Sequence, residues 1–169
     1  LPERIEAQEA IWEQKLTGTL FGVISFYNYT LRDLIDTIVD PADSLSQQRN
    51  LSRAKATGVE FELNARHPSG LQGFASLTYQ RAKDDLTNAA LTNSPRRLVK
   101  AGAMAPILNF FNAALEMQYE TERRTIYKTS TPRFLLANLR LTTAPLANAA
   151  SALKNFQIGL LVNNLFDVT

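Results

Sequence analysis

Two glutamates on one predicted strand, Glu60 and Glu62, come closest in this chain to a catalytic pair. Two carboxylates that flank a glycosidic bond can act as acid and nucleophile in its hydrolysis. The surrounding residues alternate between polar and apolar, so a strand with one polar face explains both glutamates without catalysis. We therefore predict that the chain is not an enzyme and contains no catalytic residue.

The side chains on which most other reactive sites depend are nearly absent. The chain has no cysteine and a single histidine, His67, which lies beside Pro68 in a predicted turn. Disulfides, thiolate metal sites and a cysteine nucleophile are therefore excluded, and we expect no metal site and no cofactor. The net charge is only +2 and opposite charges are interspersed, so the sequence does not indicate a nucleic-acid partner.

Alternation with a period of two residues is the dominant pattern, and it predicts β-strands. It is clearest at Gly58–Arg66, where apolar residues at 59, 61, 63 and 65 alternate with polar residues at 60, 62, 64 and 66. A strand sorts these two sets onto opposite faces, whereas a helix would mix them. We predict about eight strands, at 3–16, 19–38, 51–66, 71–83, 97–105, 110–122, 133–143 and 156–166.

The predicted connections alternate between tight turns and long polar segments. The turns are at 17–18, 67–70 and 106–109, and the long segments are at 40–50, 83–96 and 123–132. One connection, at 142–155, is longer than this rule expects and could hold a helical turn. Membrane β-barrels have short turns at one rim and long loops at the other, and their strands need only ~9–11 residues. The fold class expected is therefore all-β, an antiparallel up-and-down segment of a transmembrane barrel.

Four local patterns, taken in order along the chain, resemble the C-terminal barrel of TonB-dependent receptors. Together they extend over nearly all 169 residues. They are Leu1-Pro2-Glu3 with Glu9 and Trp12; Phe26-Tyr27 with Leu34-Ile35; Asn50–Ala54 followed by Gly58-Val59-Glu60-Phe61-Glu62; and Leu91–Arg96 with the closing Asn164-Leu165-Phe166-Asp167.

The resemblance implies that residues 1–169 are part of the C-terminal barrel domain, without the plug, the early strands and the last strand. Residues 3–16 have high helix propensity, and only the resemblance favours a strand there. The implied location is the outer membrane of a Gram-negative bacterium, in contact with its lipid. The implied function is energy-coupled uptake of a ferric siderophore, haem or cobalamin, driven by the TonB complex through the plug.

The resemblance also implies roles for charged and aromatic residues. Glu60, Glu62, Arg66 and Glu116 would face the lumen. Trp12, Tyr27, Tyr29, Tyr79 and Tyr119 would form interfacial girdles or belong to a core. Cations of the outer loops would contact an anionic iron chelate or lipopolysaccharide phosphates, or would form a solvated basic rim. These cations are Arg49, Arg53, Arg96, Arg97, Arg123, Arg124 and Lys128.

Two other readings stay open at this point. The chain could form a small closed β-barrel that binds a ligand or a partner without energy coupling, or an enzyme on a β scaffold. Exposure of apolar residues separates a barrel wall from a soluble barrel. Val59, Phe61 and Leu115 would be exposed on an isolated section of wall and buried in a soluble barrel.

Overall fold

Eight strands form one antiparallel sheet in the computed structural model, which describes residues 2–39, 45–108, 110–127, 129–143 and 156–167. A two-stranded hairpin, β7–β8, accompanies the sheet, whose strand order is β1-β2-β3-β4-β5-β6-β9-β10. Each strand of this sheet thus pairs with the next strand of the sheet along the chain, with the β7–β8 hairpin between β6 and β9, which confirms the predicted up-and-down fold. The strands are β1 Arg4–Lys15, β2 Leu20–Val39, β3 Ser46–Arg66, β4 Gln72–Asp84, β5 Arg97–Ile107, β6 Phe111–Glu120, β7 Arg123–Arg124, β8 Ser130–Thr131, β9 Phe134–Thr143 and β10 Gly159–Val162.

The observed strands follow the predicted ones closely, and the main differences are in β3 and β10. β1 is a strand despite its helix propensity, because it pairs with β2 along its whole length. β3 begins at Ser46, which pairs with Val39, so the connection expected at 40–50 is shorter than predicted. β10 covers four residues instead of the predicted 156–166. Residues 144–155, where a helical turn was expected, lie outside the described residues.

The described residues contain no helix with the length and apolar character needed to cross a membrane.

The strand register sorts the side chains onto two faces of opposite character, because directly paired residues of an antiparallel sheet point to the same side. We name these the apolar face and the polar face. One row across the apolar face consists of Trp12, Ile24, Phe61, Leu77, Val99, Tyr119 and Leu135. The neighbouring row on the polar face consists of Glu13, Val23, Glu62, Ser76, Lys100, Gln118 and Leu136.

The sheet is a single layer without a packed hydrophobic core. Among the described residues, the buried apolar side chains are Ala54 and Ala137, and both are small. Phe61 and Leu115 are each 42% exposed, as predicted for a barrel wall, whereas Val59 is half-buried. Within the described residues β1 and β10 do not pair with each other, so the sheet is open. An open layer with exposed phenylalanine and leucine does not fit a small closed barrel.

The tight turns lie at one end of the strands and the long connections at the other. Because consecutive strands run antiparallel, the turns at 16–19, 67–71 and 108–110 share an end, which we call the short-turn end. The connections at 85–96 and 121–133 share the opposite, long-connection end. His67 is a turn residue, as predicted: its carbonyl accepts a hydrogen bond from Gly70 at 3.0 Å, and Gly70 has a φ of 88°.

Candidate functional site

The four residues predicted to face the lumen all lie on the polar face. Glu60 pairs with Thr78, whose hydroxyl donates a hydrogen bond to the glutamate at 3.4 Å. Glu62 follows on the same strand and Arg66 ends it, while Glu116 lies on β6 opposite Gly102. All four side chains are exposed. Alternation along the strands thus places them together on one side of the sheet.

A cluster of aromatic and polar side chains occupies the polar face near the long-connection end. The Tyr27 hydroxyl donates a hydrogen bond to Gln80 Oε1 at 3.1 Å, two strands away. The ring passes over Gly58, where a Cβ atom would overlap the phenol and force it to move. Tyr27 also stacks on Tyr29, with 5.0 Å between ring centroids, and Tyr29 donates a hydrogen bond to Glu9.

These contacts correct part of the prediction for the aromatic residues. Trp12, Tyr79 and Tyr119 lie on the apolar face, as interfacial girdles require. Tyr27 and Tyr29 lie on the polar face, and the cause is their register opposite Gly58 and Ala56.

Gln80 connects this aromatic cluster to the connection between β4 and β5. Its side-chain amide donates a hydrogen bond to the Pro95 carbonyl at 3.0 Å. Its backbone N–H donates to the Arg96 carbonyl at 2.9 Å. The Tyr27–Gln80–Pro95 chain of hydrogen bonds therefore fixes one end of this long connection from the polar face.

A groove of about 810 Å³ lies between the two long connections, and its lining is strongly basic. We call it the basic groove. One carboxylate, Glu122, lines it. The cations that line it are Arg81, Lys83, Arg96, Arg97, Arg123, Arg124 and Arg133.

The basic groove brings together four of the seven predicted outer-loop cations: Arg96, Arg97, Arg123 and Arg124. Arg53 is exposed in β3 and does not line it. Arg49 belongs to β3, but its side chain lies outside what the structure describes, and so does the whole of Lys128.

Three further cations of the groove were missed from the sequence: Arg81, Lys83 and Arg133. A signal existed for the first two, because Arg81 and Lys83 continue the alternation of Leu77 and Tyr79 and therefore point to the same side of β4.

The contacts of the groove cations differ from residue to residue. Arg123 lies 3.4 Å from Glu120 and donates a hydrogen bond to Asn93 at 2.9 Å. Lys83 donates to the Asn88 side chain at 2.7 Å, and the Arg97 guanidinium lies 5.9 Å from the centroid of the Tyr79 ring. Arg123 is the only groove cation paired with a carboxylate among the residues that the structure describes. The groove therefore carries seven cations against one lining carboxylate, which is a local excess of positive charge.

The turn that follows β4 is organised by Asp84, beyond the apolar part of the sheet. Hydrogen bonds from the Thr87 backbone N–H, the Thr87 hydroxyl and the Leu86 N–H hold the pKa of Asp84 below its usual value. The ionised carboxylate accepts all three bonds, so it stabilises the connection that forms one side of the basic groove.

Comparison with protein-family models finds one match that covers almost the whole chain. The model is described as TonB dependent receptor-like, beta-barrel, and it matches residues 1–165. A comparison with curated protein sequences finds no significant match.

Several solved structures share the fold at low sequence identity. A ferric enterobactin receptor mutant from Pseudomonas aeruginosa has a TM-score of 0.80 and 18% identity, over 98% of this chain and 26% of that one. The FrpB iron transporter from Neisseria meningitidis has a TM-score of 0.73 and 16% identity, over 97% and 26%. The ferripyoverdine receptor of P. aeruginosa has a TM-score of 0.70 and 16% identity, over 97% and 24%. The chain thus spans about a quarter of the length of each of these structures.

Proposed function

This chain belongs to the TonB-dependent receptor family, and we propose that it forms part of the barrel wall of a receptor that imports a scarce nutrient complex. Members of the family are transporters rather than enzymes, and they lie in the outer membrane of Gram-negative bacteria. Energy for import would come from the inner-membrane TonB complex through a plug domain inside the barrel.

The separation of two faces on a layer without a core is the observation that carries this proposal. Lipid offers no hydrogen-bond partners, so a sheet in a membrane must pair its backbone internally and turn apolar side chains outward. The apolar face, with Phe61 and Leu115 exposed, meets that requirement. The polar face would then border the water-filled lumen, where Glu60, Glu62, Arg66 and Glu116 would contact water or the plug.

The cargo proposed is an iron chelate or a similar complex, of the ferric siderophore, haem or cobalamin class. Support comes from the similar structures, which are those of a ferric enterobactin receptor, an iron transporter and a receptor bound to ferripyoverdine. A copper transporter has the same fold at a TM-score of 0.74 and 17% identity, so the test of cargo must include metals other than iron.

The assignment of the faces is tested with spin labels at two adjacent positions. The chain contains no cysteine, so Phe61→Cys and Glu62→Cys each add one labelling site to this section of the barrel. In the receptor reconstituted in lipid vesicles, the label at 61 should collide more often with oxygen, which concentrates in lipid. The label at 62 should collide more often with a water-soluble nickel chelate. The opposite pattern would reverse the two faces and remove the proposal.

The import function is tested by growth. A strain without its own uptake receptors would express the intact receptor. It would receive a ferric siderophore or haem as its sole source of iron, or cobalamin or a copper complex as the sole source of that nutrient. Rescue by one class, and its loss when TonB is deleted, would support the proposal and identify the cargo. Rescue that persists without TonB would show passive passage and contradict energy coupling.

A further inference from the structure

The two long connections are joined to each other as well as to the sheet. We call residues 85–96 the first long connection and residues 121–133 the second. The backbone N–H of Asn93 donates a hydrogen bond to the Arg124 carbonyl at 2.8 Å, and Thr92 pairs with Arg124 in an isolated parallel β-bridge. The Arg123 guanidinium donates to the side-chain oxygen of Asn93 at 2.9 Å. We call this set of contacts the latch.

A buried carboxylate anchors the latch to the sheet on the side of the second connection. Glu120 ends β6, is 6% exposed, and lies between its cross-strand neighbours Leu98 and Phe134. The nitrogen of Arg123 that donates to Asn93 lies 3.4 Å from Glu120 Oε1. Water and salt screen a buried charge less than an exposed one. Glu120 therefore holds the guanidinium in the position from which it reaches the first connection.

On the side of the first connection, the latch depends on an asparagine in an uncommon conformation. Asn93 has a φ of 55°, in the left-handed region, where asparagine occurs more often than most residues with a Cβ atom. A glycine here would keep the backbone conformation and the N–H donor, and would remove only the side-chain acceptor. Two residues further on, the Pro95 carbonyl accepts the hydrogen bond from Gln80. The first connection is therefore held to the sheet close to the latch.

The second long connection has little internal structure of its own. In the described part of the chain, its regular structure is the hairpin β7–β8, which has two residue pairs. The backbone N–H of Thr125 extends the hairpin by donating to the Thr129 carbonyl at 2.8 Å. An isolated two-stranded hairpin is only marginally stable in water. Contacts with the first connection are therefore needed to keep this hairpin ordered.

We infer that Asn93 and Arg123 are positioning residues that make the two long connections move as one unit. The long loops of outer-membrane barrels are extracellular, so the unit lies at the outer mouth of the barrel, a placement that rests on the proposed function. A molecule that pushes one connection aside must then displace both. Coupling between two sites is reciprocal, so a change on either side of the latch alters the other side.

The first test compares two glycine substitutions in the first connection by hydrogen exchange of the intact receptor in lipid vesicles. Asn93→Gly removes the side-chain contact with Arg123. Asn88→Gly is the matched control, since Asn88 has a φ of 58° and its side chain also accepts one hydrogen bond, from Lys83 of β4 at 2.7 Å. We expect Asn93→Gly to speed exchange of the Thr125 amide about 5-fold, the factor that corresponds to about 1 kcal/mol for one hydrogen bond. Asn88→Gly should leave that rate unchanged.

Arg123→Met tests the latch from the other side, because it keeps an unbranched side chain and removes the donor. It should speed exchange of the Leu91 amide, which donates to the Ala82 carbonyl at 3.1 Å in the first connection. Folding of each variant is checked by its faster migration on an unheated gel. Equal Thr125 rates in the two glycine variants would overturn the inference. An effect of Arg123→Met that stayed within the second connection would do the same.

The second test replaces the latch with a covalent bond. Bridged backbones lie about 4.8 Å apart, within the range that a disulfide spans, so Thr92→Cys with Arg124→Cys can form one. The chain contains no other cysteine. Added to Asn93→Gly, the oxidised pair should return Thr125 exchange to the rate of the unmodified receptor, and reduction should raise it again about 5-fold.

The oxidised and reduced forms are the same polypeptide, so a difference in folding between variants cannot produce this result. Fast Thr125 exchange in the oxidised form would contradict the inference. A receptor that shows the expected exchange rates but imports none of the nutrients offered would contradict the proposed function alone.

Discussion

Replacing Leu63 with arginine is expected to destabilise the receptor strongly. Leu63 lies on the apolar face of β3 between Phe61 and Ala65, and its cross-strand neighbours are the small residues Gly22 and Ala75. It is 40% exposed, so an arginine would enter the surrounding hydrocarbon rather than a protein core. A basic residue on the lipid face of a barrel near the bilayer midplane costs about 2–4 kcal/mol.

The magnitude depends on how deep Leu63 lies. Four residues of β3 occupy the apolar part of this face, at 59, 61, 63 and 65, and a polar Thr57 precedes them. Leu63 is one of the two central positions, so it lies near the middle of the apolar band. The guanidinium can reach the interface by bending its side chain along the sheet, which lowers the cost, so we expect about 2 kcal/mol.

A neighbouring substitution gives a matched control. Asn64→Arg adds the same charge one residue further along β3, but it points to the polar face. We expect its free energy of unfolding to stay within about 0.5 kcal/mol of the unmodified receptor. Glu62→Gln, on the same face, should be similarly mild.

Reversible urea unfolding of the receptor in lipid vesicles measures these differences, with gel migration as a second probe of folding. The comparison requires that the free energy of unfolding fall with urea concentration at a similar slope in all variants. If Asn64→Arg proved more destabilising than Leu63→Arg, the polar face would be the one in contact with lipid. If the two variants were equally mild, neither face of β3 would contact lipid at this depth.

Three further outcomes are expected. Gly58→Ala should destabilise the receptor by about 1–3 kcal/mol, because its methyl group overlaps the Tyr27 ring, and adding Tyr27→Ala should recover part of that loss. Hydrogen exchange should show the Thr87 amide protected by Asp84 at pH values above 3.8, the ordinary pKa of an aspartate carboxyl group. The protection should be lost as the pH falls through the lowered pKa that Asp84 has in the folded state. Protection that did not change at lower pH would contradict this. The isolated 169-residue chain should self-associate through the open edges of its sheet, and a monodisperse monomer in detergent-free buffer would contradict that expectation.

Period-two alternation predicted most of the fold because each strand turns one face to lipid and the other to the water of the lumen. At Gly58–Arg66 every second residue is apolar, and this alone fixed the strand and its two faces. The segment Arg4–Lys15 shows the limit of local propensity. Its composition favours a helix, but twelve cross-strand pairs with β2 hold it as a strand, and such pairing is not visible in the segment itself.

The groove and the aromatic cluster depend on register between strands, which the sequence does not display directly. From the sequence alone, Tyr27 could belong to an interfacial girdle. Its pairing with Gly58 places it on the polar face instead. Register also shifts along β2, where Asp33 has a φ of 59° next to an irregularity in the pairing with β3. Alternation counted through that point from the sequence would misplace the residues beyond it.

Register in a wall without a core must be specified by other contacts. A slip of one residue would exchange the apolar and polar faces. It is unfavourable because it would turn polar side chains to lipid and apolar side chains to water. A slip of two residues would keep every side chain on its own face, and lipid would tolerate the new apolar neighbours. Such a slip would move Tyr27 away from Gly58 and Phe74 away from Gly102. Each ring would then lie opposite a residue with a Cβ atom, and a Cβ atom at that place would overlap the ring in its present position. The two glycine–aromatic pairs therefore select among registers that polarity alone cannot distinguish, on β2–β3 and on β4–β5.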